Sequence, residues 1–398
     1  MTLAGAIVIA AAAALVNSTC IISTIGGAFS RKPQELRSGL SDGAQRLLDA
    51  AFADLDPQKL TDYHVHILGL GTGGTGNWVN PEMQSWASPV KRFKFSVYMS
   101  ASGIEDQENA DRQFVERLVA LARGIDRHGR HLAMAFDYHY RPDGTINYEK
   151  SEFYVPNEYV FAVAEEFPDV FDPVMSVHPY RKDALEELEK FSNRGGRFVK
   201  WLPNAMGMDP ADPRCDPYYD KMKDLGLILI SHAGEEKAVE AGDDQRLGNP
   251  LKLRRPLDRR LKVIVAHCAS LGDGFDYDNP DAGMVPNFDL FLRLMDEPKY
   301  EGLVFGEISA MIQWNRLGRP LETMLKRDDL HSRLINGSDY PLPAINALVS
   351  TGDLEDDGYI TGEERDYVNE IYDFNPLLFD YVLKRTLKDP DTGKRFSP

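Results

Sequence analysis

Six potential metal ligands stand at the ends of apolar runs: His64 and His66 in DYHVH, Lys200 in RFVK, His232 in LILISH, His267 in VIVAH and Asp339 in INGSD. Imidazole and carboxylate groups are ordinary ligands of Zn²⁺, Mn²⁺ and Fe²⁺. A single histidine after an apolar run is more often a hydrogen-bonded interior residue, so none of these histidines alone indicates a metal. Their joint occurrence at successive run ends predicts a shared site.

The spacing of His64 and His66 places both imidazoles on one side of a strand. Side chains alternate between the two faces of a β-strand, so Val65 points the other way. Both histidines can therefore reach one ion.

Short apolar runs alternate with stretches of helical periodicity from residue 61 onward. This alternation is typical of βα units that build a parallel sheet. We predict eight strands, at residues 62–67, 132–138, 174–178, 197–202, 227–232, 262–267, 303–309 and 334–339. Eight parallel strands close an α/β fold of the (β/α)8 TIM barrel type, in which the carboxyl ends of the strands hold the active site. We therefore predict one barrel domain over residues 61–398, with the six candidate residues at its active end.

Three segments outside these strands are predicted to be helical. Residues 31–60 form a linker and a leading helix, for which Ser41 and Asp42 suit the N-cap. Residues 93–99 are assigned to a helix or excursion after the first strand, because a ninth strand would exceed the barrel. The tail after Asn375 is predicted to be a closing helix.

Residues 1–30 form an apolar segment in which no side chain from Thr2 to Ser30 is charged. Its two apolar runs together have the length of a bilayer span. A cleaved signal peptide normally carries a basic amino-terminal region, which is missing here, so we favour an uncleaved membrane anchor over residues 3–29. We predict a membrane-associated protein and leave the side of the membrane open. The alternative is a buried or interfacial Ala-rich helix.

Composition excludes some classes of protein. The formal net charge of −17 argues against a nucleic-acid partner, because phosphate backbones are bound by clustered Lys and Arg. Three scattered cysteines are too few for a disulfide framework or a zinc knuckle. The glycine-rich residues 69–76 lack the Lys of a P-loop and are predicted to be a flexible loop over the barrel mouth. A homo-oligomer is compatible with the sequence.

The motifs DYHVH (62–66), SHAGEE (231–236), AHCAS (266–270) and NGSDYP (336–341) resemble those of the amidohydrolase superfamily, specifically its amidohydrolase-related branch of metal-dependent hydrolases and decarboxylases. The resemblance spans residues 61–379. It implies a distorted (β/α)8 barrel that binds a divalent metal, most simply zinc, with manganese or iron as alternatives. The ligands that it implies are His64, His66, His232, His267 and Asp339.

Lys200 decides between one metal ion and two. Binuclear members of the superfamily carry a carboxylated Lys at the end of strand four, whereas many members of this branch lack it. An unmodified Lys is a poor ligand, but carbamylation by CO2 would let it bridge two ions. The alternative is a Lys that contacts a substrate carboxylate or an Asp.

The resemblance implies two reactions on a small-molecule substrate. The first is hydrolysis of an amide, lactone or ester, in which the metal activates water, Asp339 relays its proton and His267 orients water or stabilises the oxyanion. The second is non-oxidative decarboxylation or hydration of a small carboxylated acid. A barrel that has lost activity is a third hypothesis, and the complete ligand set argues against it.

Residues that follow the strands are candidates for substrate binding: His139, His178, Arg181, Trp201 and Asn204. Arg181 suits a bidentate contact with an anion, although a surface ion pair is an equal alternative. A loop histidine held by the backbone is the alternative for His178. Glu307, inside strand seven, is expected to be buried and to hydrogen-bond a ligand histidine.

Overall fold

The protein is built around one parallel sheet of eight strands. A computed structural model describes residues 19–27, 31–53, 55–56, 59–125 and 128–397. In these residues the sheet contains β1 (Thr61–His66), β2 (Arg130–Met134), β3 (Phe171–Met175), β4 (Phe198–Trp201), β5 (Ile228–His232), β6 (Val263–Ala266), β7 (Val304–Glu307) and β8 (Leu334–Ile335). Each strand pairs in parallel with the next along the chain. All eight predicted strands are confirmed in number and order, although β2 and β3 begin and end two to four residues earlier than the predicted 132–138 and 174–178.

The chain after β8 brings the sheet back to β1. The amide of Tyr63 donates to the carbonyl of Asn336 at 3.0 Å, and that of His66 donates to Tyr340 at 3.0 Å. The sheet is thus a nearly closed barrel, and the predicted TIM barrel is confirmed. Its interior is filled by side chains such as Leu132, Val174 and Ile230.

Helices cover the outside of the barrel and its mouth. The described residues contain fifteen α-helices: α1 (Thr19–Gly26), α2 (Leu36–Gly39), α3 (Asp42–Ala51), α4 (Pro89–Ala101), α5 (Ala110–Arg123), α6 (Asn157–Glu166), α7 (Ala184–Asn193), α8 (Pro203–Met206), α9 (Asp216–Asp224), α10 (Arg254–Asp258), α11 (Asn287–Asp296), α12 (Arg319–Lys326), α13 (Thr351–Asp356), α14 (Gly362–Phe374) and α15 (Pro376–Thr386). Two short hairpins pair Trp78–Val79 with Phe153–Tyr154 and Asp273–Phe275 with Met284–Pro286.

The three helical predictions outside the strands agree with this arrangement. The leading helix is α3, and its N-cap Ser41 accepts a hydrogen bond from the amide of Ala44. Residues 93–99 lie within α4. The closing helix is α15, whose first turn is capped by Asn375 through the amide of Leu378 at 3.0 Å.

The predicted membrane anchor over residues 3–29 is corrected by the structure. Residues 3–18 and 28–29 of that segment lie outside the described residues, and Thr19–Gly26 is the eight-residue helix α1. This helix lies against the barrel mouth, where the amide of Asn346 donates to the carbonyl of Thr24 at 2.9 Å. No helix in the described part of the chain combines the length and the apolar character needed to cross a bilayer. The prediction of a membrane-associated protein is therefore wrong.

The glycine-rich loop at residues 69–76 is tied to α5 by one carboxylate. Asp111, which is buried, accepts hydrogen bonds from the amides of Leu70 at 2.5 Å and Gly71 at 3.2 Å. The hydroxyls of Thr72 and Thr75 and the amide of Asn77 also donate to it. The loop is therefore fixed by specific bonds rather than free over the mouth.

Candidate metal centre

His64, His66 and Asp339 form a compact donor group at the carboxyl end of the barrel. One ligand atom from each residue lies within 4.8 Å of the other two. Asp339 Oδ1 is 3.4 Å from His64 Nε2 and 3.2 Å from His66 Nε2. Val65, between the two histidines, is buried among the core residues on the other side of β1, as the alternation requires.

His232 and His267 extend this group. The ring centroids of His64 and His267 are 5.1 Å apart, and those of His232 and His267 are 5.3 Å apart. His267 Nε2 is 3.7 Å from Asp339 Oδ2. Both ring nitrogens of His232 are buried without a hydrogen-bond partner in the described residues. Such orphaned nitrogens are costly unless a ligand satisfies them, so the donor set fits a bound cation.

Lys200 lies inside this group. Its ammonium is fully buried, and Nζ is 2.8 Å from His64 Nε2. Burial lowers the pKa of Lys200 to about 8, although Asp339 and Glu307 oppose the shift. The structure thus brings all six predicted ligand positions together.

Glu307 and Ser309 orient two of the histidines from behind. Glu307 Oε2 is 2.9 Å from His64 Nδ1 and accepts the hydroxyl of Ser309 at 2.7 Å. Because Ser309 donates its hydroxyl proton to Glu307, its Oγ must accept a hydrogen bond from His267 Nδ1, which is 2.8 Å away. Both imidazoles therefore carry their proton on Nδ1 and direct the Nε2 lone pair into the site, where that of His64 faces Lys200 Nζ. The expected hydrogen bond between Glu307 and a candidate ligand histidine is confirmed.

The site favours the neutral form of His64, His232 and His267 and an ionised Asp339. Burial lowers the pKa of His232 to about 4, against the opposing charge of Glu236. Burial first, and nearby cations second, hold the pKa values of His64 and His267 well below the usual value. The pKa of Asp339 is lowered, since the effect of burial is outweighed by His64, His66 and Lys200. Lone pairs for a cation are thus available at neutral pH.

Two candidate residues have left-handed backbone conformations. The φ angle is 55° at His267 and 60° at Asp339. Residues other than glycine rarely adopt this region, and such residues cluster at functional sites. The predicted strand 334–339 is in fact Leu334–Ile335, and Asp339 lies in the loop that follows it.

A cavity of about 420 Å³ opens above the donor group. His64, His66, His267 and Asp339 form part of its lining, and most of the remaining wall is apolar. The polar lining residues that sequence reasoning did not assign to the site include Lys94, Glu152, Gln313 and Arg316. These residues belong to a mouth helix and to loops, where no periodic pattern or motif marks them.

His178 and Arg181 lie away from this cavity and are held by protein groups. His178 Nδ1 accepts from the amide of Tyr180 at 3.0 Å, and its Nε2 is 3.0 Å from the carbonyl of Met206. Arg181 contacts Asp137 at 3.0 Å and Asp183 at 2.8 Å. Neither residue is in the lining, and their predicted contact with substrate stays a prediction.

His139, Trp201 and Asn204 are also outside the lining. His139 Nε2 is 3.4 Å from Asp244 Oδ2. The indole of Trp201 donates to the carbonyl of Val177 at 3.1 Å. The amide of Asn204 donates to the carbonyl of Gly234 at 3.1 Å. The structure does not bring these three to the donor group, and their role in substrate binding is likewise still a prediction.

Several solved structures resemble the chain at low identity. An uncharacterized TIM-barrel protein from Bordetella bronchiseptica is 17% identical with a TM-score of 0.46, over 79% of this chain and 99% of that one. A 5-carboxyvanillate decarboxylase from Sphingomonas paucimobilis is 12% identical with a TM-score of 0.42, over 75% and 98%. A 4-oxalomesaconate hydratase from Rhodopseudomonas palustris is 12% identical with a TM-score of 0.40, over 78% and 88%. At these TM-scores, none of the likenesses indicates a reaction for this chain.

Sequence comparison assigns the family. No curated protein matches the chain significantly. The family model described as amidohydrolase matches residues 61–357, which is more than half of the chain and includes the whole donor group. The protein therefore belongs to the amidohydrolase family.

Proposed function

We propose that the protein is a metal-dependent hydrolase that activates water to cleave an amide, lactone or ester bond in a small-molecule substrate. One observation carries the proposal: the donor atoms of His64, His66, His267 and Asp339 face a cavity of about 420 Å³. Zinc suits such nitrogen and oxygen donors, and manganese or iron accepts them as well.

The site residues divide the chemistry between them. A divalent cation held there would polarise the scissile carbonyl and lower the pKa of a water molecule toward neutrality. Asp339, ionised and 3.2 Å from His66 Nε2, can accept a proton from the attacking water and deliver it to the leaving group. His267, fixed through Ser309, can orient the water or stabilise charge on the carbonyl oxygen.

Lys200 supports hydrolysis if it is carbamylated. The neutral amine adds CO2 and releases a proton, which gives an anionic carbamate. A pKa of about 8 makes the neutral amine accessible near neutral pH. The carbamate would add an anionic oxygen ligand, sufficient with the four histidines and Asp339 for two ions.

A decarboxylase or hydratase is the second candidate. In this candidate Lys200 would stay unmodified and hydrogen-bond His64 Nε2, from which its Nζ is 2.8 Å away, so that the ligand set would be smaller. Such a set suits a single ion.

Metal content of the purified full chain, prepared with and without bicarbonate, separates these candidates. Two equivalents, falling to one in Lys200→Ala but not in the exposed control Lys190→Ala, would support the carbamylated hydrolase. One equivalent with unmodified Lys200 would favour the lyase. No bound metal would contradict both.

Turnover is tested on panels of p-nitrophenyl esters, lactones and N-acyl amides, with CO2 release from aromatic acids measured in parallel. His64→Ala and Asp339→Asn should each abolish turnover while the protein stays folded by circular dichroism. Activity retained in both variants would refute the roles given to these residues.

A further inference from the structure

Arg316 is a buried cation without a matching anion. It lies in the loop between β7 and α12, is 7% exposed and lines the cavity with His267 and Asp339. Its Nη1 donates to the hydroxyl of Ser270 at 3.0 Å, whereas Nε is buried without a partner in the described residues. The carboxylates that act on it most strongly, Glu236 and Asp339, are engaged elsewhere. Glu236 accepts from the backbone amides of residues 238 and 239 and lies 3.4 Å from His232 Nδ1, and Asp339 lies against His64 and His66. An unpaired buried charge is strongly unfavourable, so this guanidinium fits a ligand that brings a negative charge.

The other cations in the cavity lining are already paired. Lys94 contacts Glu152 at 2.8 Å, and Lys237 contacts Glu235 at 2.5 Å. Arg316 forms no comparable pair with any described carboxylate. Arg316 is therefore the cation of the described lining that has no ion pair, and a single guanidinium suits a monoanion such as a carboxylate better than a doubly charged phosphate.

The walls of the cavity are largely apolar and therefore suit a substrate with a large apolar part. Side chains from α1, from α4 and from the loop after β8 face the space with hydrocarbon and aromatic surface, including Ile25, Phe93, Val97, Leu342 and Ile345. Apolar surface of this extent favours an acyl chain or ring over a sugar or another polyhydroxylated molecule.

We propose that Arg316 binds a carboxylate of the substrate, and that the substrate is an amphiphile whose apolar part occupies the wall formed by α1 and α4. An N-acyl amino acid has this pattern: an apolar acyl group, a scissile amide and a nearby carboxylate. Water would add hydroxyl to the acyl carbon, the C–N bond would break, and the nitrogen would take up the proton. The carboxylate on Arg316 is unchanged in this reaction. The inference rests on the proposed function only in taking this cavity as the substrate site.

Binding of octanoate to the full chain, measured by isothermal titration calorimetry at neutral pH, tests the proposal without requiring turnover. Octanamide has the same chain without the charge. We expect octanoate to bind at least about tenfold more tightly than octanamide, because the buried guanidinium is left unpaired by the amide. From butanoate to octanoate, affinity should rise about fourfold for each methylene that is buried.

Arg316→Met removes the charge and keeps a side chain of similar length. It should lose the preference for octanoate over octanamide, whereas Lys237→Met, which removes a paired cation at the rim, should keep it. The comparison of octanoate with octanamide in the unaltered protein still decides the matter if Arg316→Met fails to fold. Equal binding of the two probes would overturn the proposal.

The same titration on chelator-treated protein distinguishes Arg316 from a metal as the anion site. Octanoate binding that survives chelation and requires Arg316 supports the inference, even if the metal analysis excludes the proposed hydrolase. Binding that disappears on chelation and persists in Arg316→Met would place the anion on the metal and overturn it.

Discussion

His178 and His64 are both fully buried, and the hydrogen bonds of their ring nitrogens indicate different roles. Both ring nitrogens of His178 are within 3.0 Å of backbone groups, so its imidazole connects two loops. In His64 only Nδ1 is taken by a supporting carboxylate, and Nε2 faces other candidate ligands. The orientation of the second nitrogen therefore separates a structural histidine from a candidate ligand.

The pH dependence of stability should report the role of His178. Burial lowers its pKa to about 3 in the folded protein, from the usual 6.5. Between these values the unfolded chain binds more protons than the folded one. Stability is therefore fully present above pH 6.5 and falls as the pH drops, by about 1.4 kcal/mol per pH unit for this group. Urea unfolding of metal-free protein at several pH values should show a shallower slope for His178→Asn than for the unaltered chain. Equal slopes would contradict this assignment.

The alternation of side chains along β4 predicts which residues point into the barrel and which point outward, but it has to be applied to each residue in turn. It correctly places Lys200 inside the barrel, and by the same rule its neighbour Trp201 must point outward. Trp201 indeed packs against Tyr218 and Tyr219 of α9, with ring centroids 5.2 and 5.7 Å away. Arg316 could not be found in this way, because its loop has no periodicity and its place depends on the folded mouth.

At the scale of elements, α5 and the glycine-rich loop form one unit through Asp111. A Cβ on Gly69 would lie 2.1 Å from the amide nitrogen of Asn77 and 2.6 Å from the carboxylate of Asp111. A side chain at residue 69 would keep the loop from approaching Asn77 and Asp111 this closely, so the position requires glycine. Because Gly69 and Leu70 line the cavity, this carboxylate also fixes part of the substrate site.

Asp111→Ala should destabilise the protein by about 3 kcal/mol, because several buried donors lose their acceptor at once. Urea unfolding measures this change, and limited proteolysis should show faster cleavage near residues 69–76. Glu116→Ala, on the exposed side of the same helix, is the control and should stay within about 0.5 kcal/mol. A loss in Asp111→Ala no larger than in the control would show that other contacts hold the loop.

The order and type of the elements could be read from the sequence because each strand is a short apolar run with a helix after it. The ends of the strands could not, since they depend on where the hydrogen bonds between neighbouring strands stop, which the apolar pattern does not mark. The misassigned anchor has a similar physical cause. Apolar residues that cover a cavity at the barrel mouth have the same composition as residues that face lipid, and Ile25 of α1 is in that cavity wall.

At the scale of the whole molecule, a bound cation should link the two ends of the sheet. His64 and His66 lie on β1 and Asp339 follows β8, so a cation shared by them bridges the strands where the barrel closes. The bound state is folded, and binding therefore adds to the free energy of unfolding.

Addition of zinc or manganese at about one hundred times its dissociation constant should raise the free energy of unfolding by about 2.7 kcal/mol. Thermal unfolding with metal, with chelator and after readdition measures the effect. His66→Ala should lose most of this increment because it removes one donor of the group. A midpoint that does not respond to metal in the unaltered protein would argue against a cation at the barrel closure.

The positive φ angles of His267 and Asp339 also bear on how such a site can evolve. Histidine, asparagine and aspartate are the residues other than glycine that enter this region most readily. A substitution at either position must therefore first be compatible with the left-handed backbone and only then with the chemistry of the site. A lineage that abandoned the reaction could replace Asp339 by asparagine and keep its barrel, whereas glutamate would keep the charge and strain the turn. We therefore expect asparagine or glycine at position 339 in relatives that have lost the activity. Aspartate is easily regained from either residue.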